Sequence, residues 1–296
     1  MAEFIQQVVA GLGDGAIYAS LALALVLIYR ATHVINFAQG EMGMVSTYIA
    51  WALITNHGWS FWPAFAFTLG ISFLGGFAIH ETVIRPLHRA GELTVVMATI
   101  ALLVILNGLV SWIWQPDEKI LISPLAGGTW SIGSVAIPQQ SVYDLIVVLV
   151  CVSVLWLLFR YTKLGLALRA SAVDPSASRL LGVRVPWMLS IGWGFAAILS
   201  AVAGMLAAPA QFIFTPGFMQ VTIIYAFAAA ILGGLESPVG AVVGGLTLGV
   251  TINLLGTYFP GQISPDMRLP AALALLLLVL VFRPAGLLGR TVVRRV

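Results

Sequence analysis

Continuous apolar runs, most of them long enough to cross a bilayer as helices, recur along this chain and leave few folds open to it. A membrane-spanning helix needs about 20 predominantly apolar residues. The nine candidate segments are Phe4–Tyr29, Gly40–Thr55, Trp59–Ile84, Leu93–Trp114, Val142–Phe159, Trp187–Ala208, Val221–Leu235, Val239–Phe259 and Leu269–Phe282. The second and the seventh are short enough to be re-entrant. The pattern predicts an all-α, polytopic integral membrane helix bundle of about 8–9 transmembrane segments, with one or two broken or re-entrant helices.

The composition excludes a water-soluble globular domain. Hydrophobic residues make up 60% of the chain and charged residues only 8%, whereas a soluble domain carries about 25% charged residues. A transmembrane β-barrel is excluded as well, because its strands are about ten residues long and alternate polar with apolar side chains. We therefore expect a single transmembrane domain over residues 1–296.

The basic residues predict the orientation. If the nine segments cross in alternation, Lys119 and Arg268 lie on one side, and the other 12 of the 14 basic residues (14 − 2) lie on the opposite side. The positive-inside rule makes the basic side cytoplasmic. The N-terminus is then expected outside and the C-terminus inside.

The chain has no motif for catalysis, nucleotides or metals. The sequence contains no G-x-x-x-x-G-K-[ST] phosphate loop, no H-E-x-x-H pair and no Cys/His set with metal-ligand spacing. Its net charge of +3 is explained by cations beside the membrane and does not suggest nucleic-acid binding. We expect no catalytic residue, no cofactor and no metal site, which disfavours a membrane enzyme.

One polar cluster stands out within the apolar sequence: Asn36, Gln39 and Glu41, with Gly40 among them. Polar groups at membrane depth are costly unless they are paired or face water, and so they mark a pathway by default. In this interpretation, Gly40 and Gly43 break the helix and the polar side chains line or gate a central path. The alternative is that the stretch is an ordinary turn at the cytoplasmic surface.

A second interruption, at Gly233, Gly234 and Glu236, splits two short apolar segments ahead of Pro238. Transporter sites form where discontinuous helices meet, often at related places in the two halves of the chain. These residues are therefore further pathway candidates, although the sequence contains no convincing internal repeat.

The longest polar interval, Tyr161–Pro186, carries four cations and a single acid, Asp174. Small residues between short apolar steps favour helices here, whereas a plain connector between two spans could be shorter. We predict that this loop docks against a partner on the side where its cations lie. A solvated loop at the lipid headgroups is the alternative.

Pairs of glycines four residues apart predict close helix packing. Such small-xxx-small spacing lets two helices approach within van der Waals contact, in a bundle or a dimer. The pairs are Gly11 with Gly15, Gly240 with Gly244, and Gly245 with Gly249.

Several stretches together match a known family. They are residues 15–23, Ile35-Asn-Phe-Ala-Gln-Gly-Glu41, Thr162-Lys-Leu-Gly-Leu-Ala-Leu-Arg-Ala170, residues 177–182, residues 233–245 and Arg283-Pro-Ala-Gly-Leu-Leu-Gly289. Over nearly its whole length the chain thus resembles LivH-type permeases, the membrane subunits of branched-chain amino acid ABC importers.

The resemblance implies a role for the loop 161–186. ABC permeases carry a short cytoplasmic coupling helix with an E-A-A-x-x-x-G pattern that fits a groove on the ATPase. The stretch from Ser176 to Gly182 has this spacing, with serine in place of the acid. The residues that the resemblance places in ATPase coupling are Gly165, Arg169, Ala170, Asp174, Ala177 and Gly182.

The resemblance also implies partners and a location. These are a second homologous permease, two cytoplasmic ABC ATPases, an external solute-binding protein and the lipid of a bacterial or archaeal cytoplasmic membrane. Relatives that carry urea or amides leave the cargo open. The alternative from another class is a self-contained channel or ion-coupled transporter. It would need ionisable residues in mid-span, whereas Asp14, Glu41, Glu81 and Asp144 lie mostly near predicted span ends.

Overall fold

The computed structural model describes residues 1–87, 90–124, 127–133, 135–258, 267–283 and 285–289. Helices dominate it. They are α1 (Ala2–Thr32), α2 (Gln39–His57), α3 (Phe61–Ile79), a π-helical turn (His80–Ile84), α4 (Arg85–Leu87), α5 (Glu92–Trp114), α6 (Gln139–Tyr161), α7 (Lys163–Val173), α8 (Pro175–Leu180), α9 (Val185–Ala210), α10 (Met219–Gly233), α11 (Pro238–Tyr258) and α12 (Arg268–Phe282).

The predicted fold class is confirmed. Every predicted segment coincides with a helix, although Phe259, the last residue of the eighth, lies outside the described residues. In the part of the chain that is described, six helices are long and apolar enough to span a membrane: α1, the continuous stretch Phe61–Leu87, α5, α6, α9 and α11. Helices α10 and α12 are shorter but also apolar.

The loop between α5 and α6 contains a small β-hairpin that was not predicted from the sequence. Strand β1 (Thr129–Ile132) pairs antiparallel with β2 (Val135–Pro138), with Thr129 opposite Pro138. Gly133 lies in the turn with a positive φ of 62°, the left-handed conformation that two-residue hairpin turns require.

Two helices begin in the middle of the bundle. The side chain of Gln39, at the start of α2, contacts Ala196 and Ser200, halfway along α9. The start of α10 lies at the same level, because the carbonyl oxygen of Met219 is within 3.5 Å of a Cβ position built on Gly40. Helices α2 and α10 are the second and seventh predicted segments, which were short enough to be re-entrant. Each of them follows a break in the chain inside the bundle.

The two short helices run to opposite ends of the bundle. Helix α2 leads to the end where α5 and α9 finish, since Tyr48 contacts the rings of Trp114 and Phe214. Helix α10 leads to the end where α1 finishes, since Arg30 and Pro238, just after α10, line one cavity. The fold therefore contains two halves with the same order of helices and opposite direction, as in inverted-repeat transporters.

Packing between helices repeats in the two halves. Helices α1, α2 and α3 of the first half correspond to α9, α10 and α11 of the second. Helix α3 packs against α2 and against α9 of the other half, and α11 packs against α10 and against α1 of the other half. The break at residues 33–38 then corresponds to residues 211–218. The relation between the two halves was not apparent from the sequence, because they share an arrangement of helices but no evident repeat of residues.

The predicted glycine pairs hold helices together within the chain. A Cβ on Gly11 would lie 2.6 Å from the Cα atom of Val250, and one on Gly15 would lie 2.9 Å from the carbonyl oxygen of Gly245. Gly244 packs in the same way on the backbone of Ala229 in α10. The glycine stripe thus brings α1, α10 and α11 into backbone contact, as small residues do at membrane-helix interfaces.

Most of the described basic residues lie at one end of the helix bundle. Arg30, Arg160 and Arg169 line one cavity, and Arg85, Arg179 and Arg184 line a neighbouring cleft. We call this side of the bundle the basic end. Lys119 and Arg268 lie at the opposite end, beside Trp51 and Gly256 respectively. Residues Arg89, Arg290, Arg294 and Arg295 lie outside the described part of the chain.

Candidate translocation and coupling sites

The first break places a hydrogen-bonded cluster at the centre of the bundle. Asn36 and Gln39 are fully buried. The Asn36 amide donates to Oε1 of Gln39 at 2.7 Å, and the Gln39 amide donates to the carbonyl oxygen of Ala196 at 3.0 Å and to Oγ of Ser200 at 2.5 Å. The interpretation of this stretch as a surface turn is therefore wrong, because these amides tie the break to the middle of α9.

Glu41 lies two residues beyond Gln39 in α2, between α5 and α10. Its side chain is 2% exposed, and the Asn107 amide donates to its Oε2 atom at 3.4 Å. Gln220, in the first turn of α10, also hydrogen-bonds Glu41. Glu41 is thus in mid-bundle, not near a span end as the sequence suggested.

The polar group around Glu41 reaches the surface of this chain. Gln220 is exposed and Asn107 is partly exposed, while Val221 and Ile224 beside Gln220 are exposed apolar side chains. Polar side chains at this depth are costly against lipid and normally face protein or a water-filled cavity. The exposed face of α5 and α10 therefore carries a polar patch over a buried carboxylate.

Gly40 and Gly43 do not break the helix, as had been expected. Both lie inside α2, and the break precedes them. A Cβ on Gly43 would lie 2.6 Å from the carbonyl oxygen of Ser200, and one on Gly40 would lie 3.1 Å from Cβ of Ile223. These glycines let α2 approach α9 and α10 closely.

The second group of pathway candidates lies elsewhere. Gly233 and Gly234 end α10, which is 15 residues long, so they are about 21 Å from its first turn. Gly233 packs on the backbone of Gly240, and Gly234 has a φ of 103°. Glu236 is exposed at the basic end. The structure does not bring these residues together with Asn36, Gln39 and Glu41.

The loop 161–186 folds into two helices at the basic end. The Asp174 carboxylate caps α8, accepting hydrogen bonds from the backbone N–H groups of Ser176 and Ala177, both at 2.9 Å. Gly182 follows the helix with a φ of 82°, and its N–H donates to the carbonyl oxygen of Arg179. A glycine in this left-handed conformation ends helices, so the predicted helix stop at Gly182 is present.

Gly165 fixes α7 against the end of α6. It is buried, and a Cβ there would overlap the backbone of Leu158 and Phe159. Arg169, one turn later, donates from Nε to the carbonyl oxygen of Gly165 at 3.4 Å and is exposed, whereas Ala170 is partly buried. The close turn at Gly165 makes α7 fold back beside the bundle.

Helix α8 and the residues that flank it present an apolar surface that was not predicted from the sequence. Val173, Leu180 and Leu181 are 80%, 90% and 83% exposed, and Ala177 between them is also exposed. Arg85, Arg179 and Arg184 line the cleft beside the helix. Exposed apolar side chains with a polar rim are typical of a protein interaction site.

Asn107, Ser200 and Gln220 were also missed. Asn107 and Ser200 lie within predicted apolar segments and Gln220 directly precedes one. Their role depends on the helix that packs opposite, which the sequence does not show. Such isolated intramembrane polar residues were the available signal.

Comparison with known proteins gives consistent matches over the full length. Residues 7–282 match the family described as branched-chain amino acid transport system / permease component. The high-affinity branched-chain amino acid transport system permease protein LivH of Escherichia coli (strain K12) is 30% identical over 99% of this chain and 98% of that protein. The corresponding permease BraD of Pseudomonas aeruginosa is 32% identical over 99% of this chain and 98% of its own length.

Proposed function

This chain belongs to the branched-chain amino acid transport permease family, and we propose that it forms the membrane pathway of an ABC importer for branched-chain amino acids. It is a multi-pass membrane protein and a component of a larger transport system. Two cytoplasmic ATPase partners hydrolyse ATP, and an external solute-binding protein delivers the cargo. The whole chain acts as one permease domain, with residues 161–186 as its coupling loop.

The observation that carries this proposal is the exposed apolar surface of α8. A chain that transported by itself would have no reason to expose Val173, Leu180 and Leu181 to water at the end of a capped helix. Burial of one leucine contributes about 1.5–3 kcal/mol, so contact with an ATPase offsets the cost of exposing them. Gly165, Arg169, Ala170, Asp174 and Gly182 hold this surface in place.

The pathway runs along the face of α5 and α10, against a second permease of the same family. The polar patch of Asn107 and Gln220 over Glu41 supports this placement, because lipid would not solvate it. Asn36, Gln39 and Gly40 hold the start of α2 beneath the patch. Gly233, Gly234 and Glu236 lie where such a path would reach the basic end.

The basic end faces the cytoplasm of the cell, with the N-terminus outside. In a chain whose Cys151 has been replaced by serine, cysteines at Ser176 and Ser131, both exposed and at opposite ends, are expected to react with an impermeant maleimide from opposite sides. Only the Ser131 position is expected to label in intact cells. Labelling of both positions from outside would contradict this orientation.

Reconstitution tests the function. Proteoliposomes that hold the chain with its second permease, ATPases and binding protein are expected to take up leucine when ATP is enclosed. Vesicles that hold the chain alone are expected to take up none, even with a proton or sodium gradient. Uptake by the chain alone would favour an ion-coupled transporter. Uptake of urea or an amide instead of leucine by the full assembly would reassign the cargo within the same family.

A further inference from the structure

A groove at the basic end is lined by α1, α6, α7, α9 and the start of α11. Its cavity measures about 410 Å³, within the range of about 300–1,000 Å³ that ligand pockets occupy. The walls are apolar, with side chains such as Leu27, Leu155 and Val242. An occupant must therefore offer mainly hydrocarbon to this groove.

The mouth of the groove is cationic. Arg30, Arg160 and Arg169 line it, and no acidic residue is among the described residues of its lining. Among the described residues, the ion pairs are Arg85 with Glu81 and Lys119 with Asp117, so none of these three arginines has a carboxylate partner there. An occupant with a negatively charged head would neutralise them.

A buried hydroxyl in the same wall lacks a hydrogen-bond partner in the part of the chain that the structure describes. Ser171 lines the groove and is 1% exposed, and its Oγ atom has no hydrogen bond among the described residues. Leaving a buried hydroxyl unpaired costs about 1–3 kcal/mol. A phosphate or ester oxygen in the groove would accept this hydrogen bond.

We propose that this groove binds an anionic phospholipid, with an acyl chain between α6 and α9 and the phosphate held by Arg30, Arg160 and Arg169. Basic pockets between membrane helices on the cytoplasmic side recognise such headgroups. Because α7 forms part of the wall, the lipid bridges the bundle and the first helix of the loop 161–186. This site is separate from the polar patch on α5 and α10.

Lipid retention by the complete transporter tests the site. The transporter is purified in detergent and incubated with phosphatidylglycerol and phosphatidylcholine of identical acyl chains in equal amounts, and bound lipid is quantified by mass spectrometry. At least fivefold enrichment of phosphatidylglycerol is expected. Glycerol 3-phosphate in excess is expected not to displace it, because the headgroup alone lacks the apolar contacts.

Two independent variants probe the two halves of the site. Gly192→Trp fills the groove, since a Cβ at Gly192 meets open space, and Arg30→Gln with Arg160→Gln removes charge at the mouth. Both are expected to abolish the enrichment. The matched controls Gly75→Trp, on an equally open glycine of α3, and Arg179→Gln are expected to retain it.

Equal retention of both lipids by the unmodified transporter would overturn the proposal. Undiminished enrichment in the two groove variants would do the same, as would displacement of the lipid by glycerol 3-phosphate alone. If Gly192→Trp prevents assembly, the arginine variant decides, because its side chains lie at the mouth and outside the packed core.

Discussion

Replacing Leu180 and Leu181 together with aspartate is expected to abolish ATP-driven uptake while the chain remains folded in the membrane. Both side chains are almost fully exposed, so the change removes little internal contact. If an ATPase buries them, their loss costs about 3–6 kcal/mol of binding, and each 1.4 kcal/mol weakens binding about tenfold. Co-purification of the ATPase subunits is therefore expected to fall at least about 100-fold.

The matched control keeps the surface apolar. Methionine at both positions preserves most of the hydrophobic area and is expected to retain uptake and ATPase recovery. Ala177→Trp adds bulk on the same exposed surface and is expected to behave like the aspartate pair, through a steric clash with the partner. If ATPase recovery and transport survive both the aspartate pair and Ala177→Trp, α8 is a solvated connector.

The sequence was most informative where a local pattern dictates a local structure. The glycines at positions 11, 15, 245 and 249 predicted close packing because only a missing side chain permits backbone contact, and the structure resolves the choice between bundle and dimer as packing of α1 on α11. Gly182 predicted a helix stop for a similar reason, since few other residues adopt its φ of 82°.

The sequence was least informative where meaning depends on a distant partner. The second internal break was placed at Gly233, where hydropathy falls, whereas the counterpart of the first break is at residues 211–218. Pro216 and Gly217 are helix-breaking residues at that point, but apolar neighbours such as Phe214 and Phe218 keep the local hydropathy high, so the break was not recognised. Leu180 and Leu181 were overlooked because the sequence of a helical loop does not show which of its apolar side chains pack against the bundle and which stay exposed.

Glu41→Gln is expected to lower the rate of leucine uptake about 10- to 100-fold without lowering membrane abundance or ATPase recovery. We propose that the Glu41 carboxylate attracts the ammonium group of the amino acid as it passes the patch formed by Asn107 and Gln220. A hydrogen bond to a charged group contributes about 1.5–3 kcal/mol, which sets this range. Glutamine keeps the side-chain length and can still bond to Asn107, so a purely structural role would be preserved.

Glu41→Asp separates charge from hydrogen bonding. It retains the negative charge but shortens the side chain, and so it is expected to restore part of the uptake that glutamine loses. Glu92→Gln removes one charge from the exposed start of α5 and is expected to reduce uptake less than twofold, since water screens that site. Wild-type uptake by Glu41→Gln would mean that the carboxylate only fastens α2 to α5. The pathway would then have to be placed on another face of the bundle.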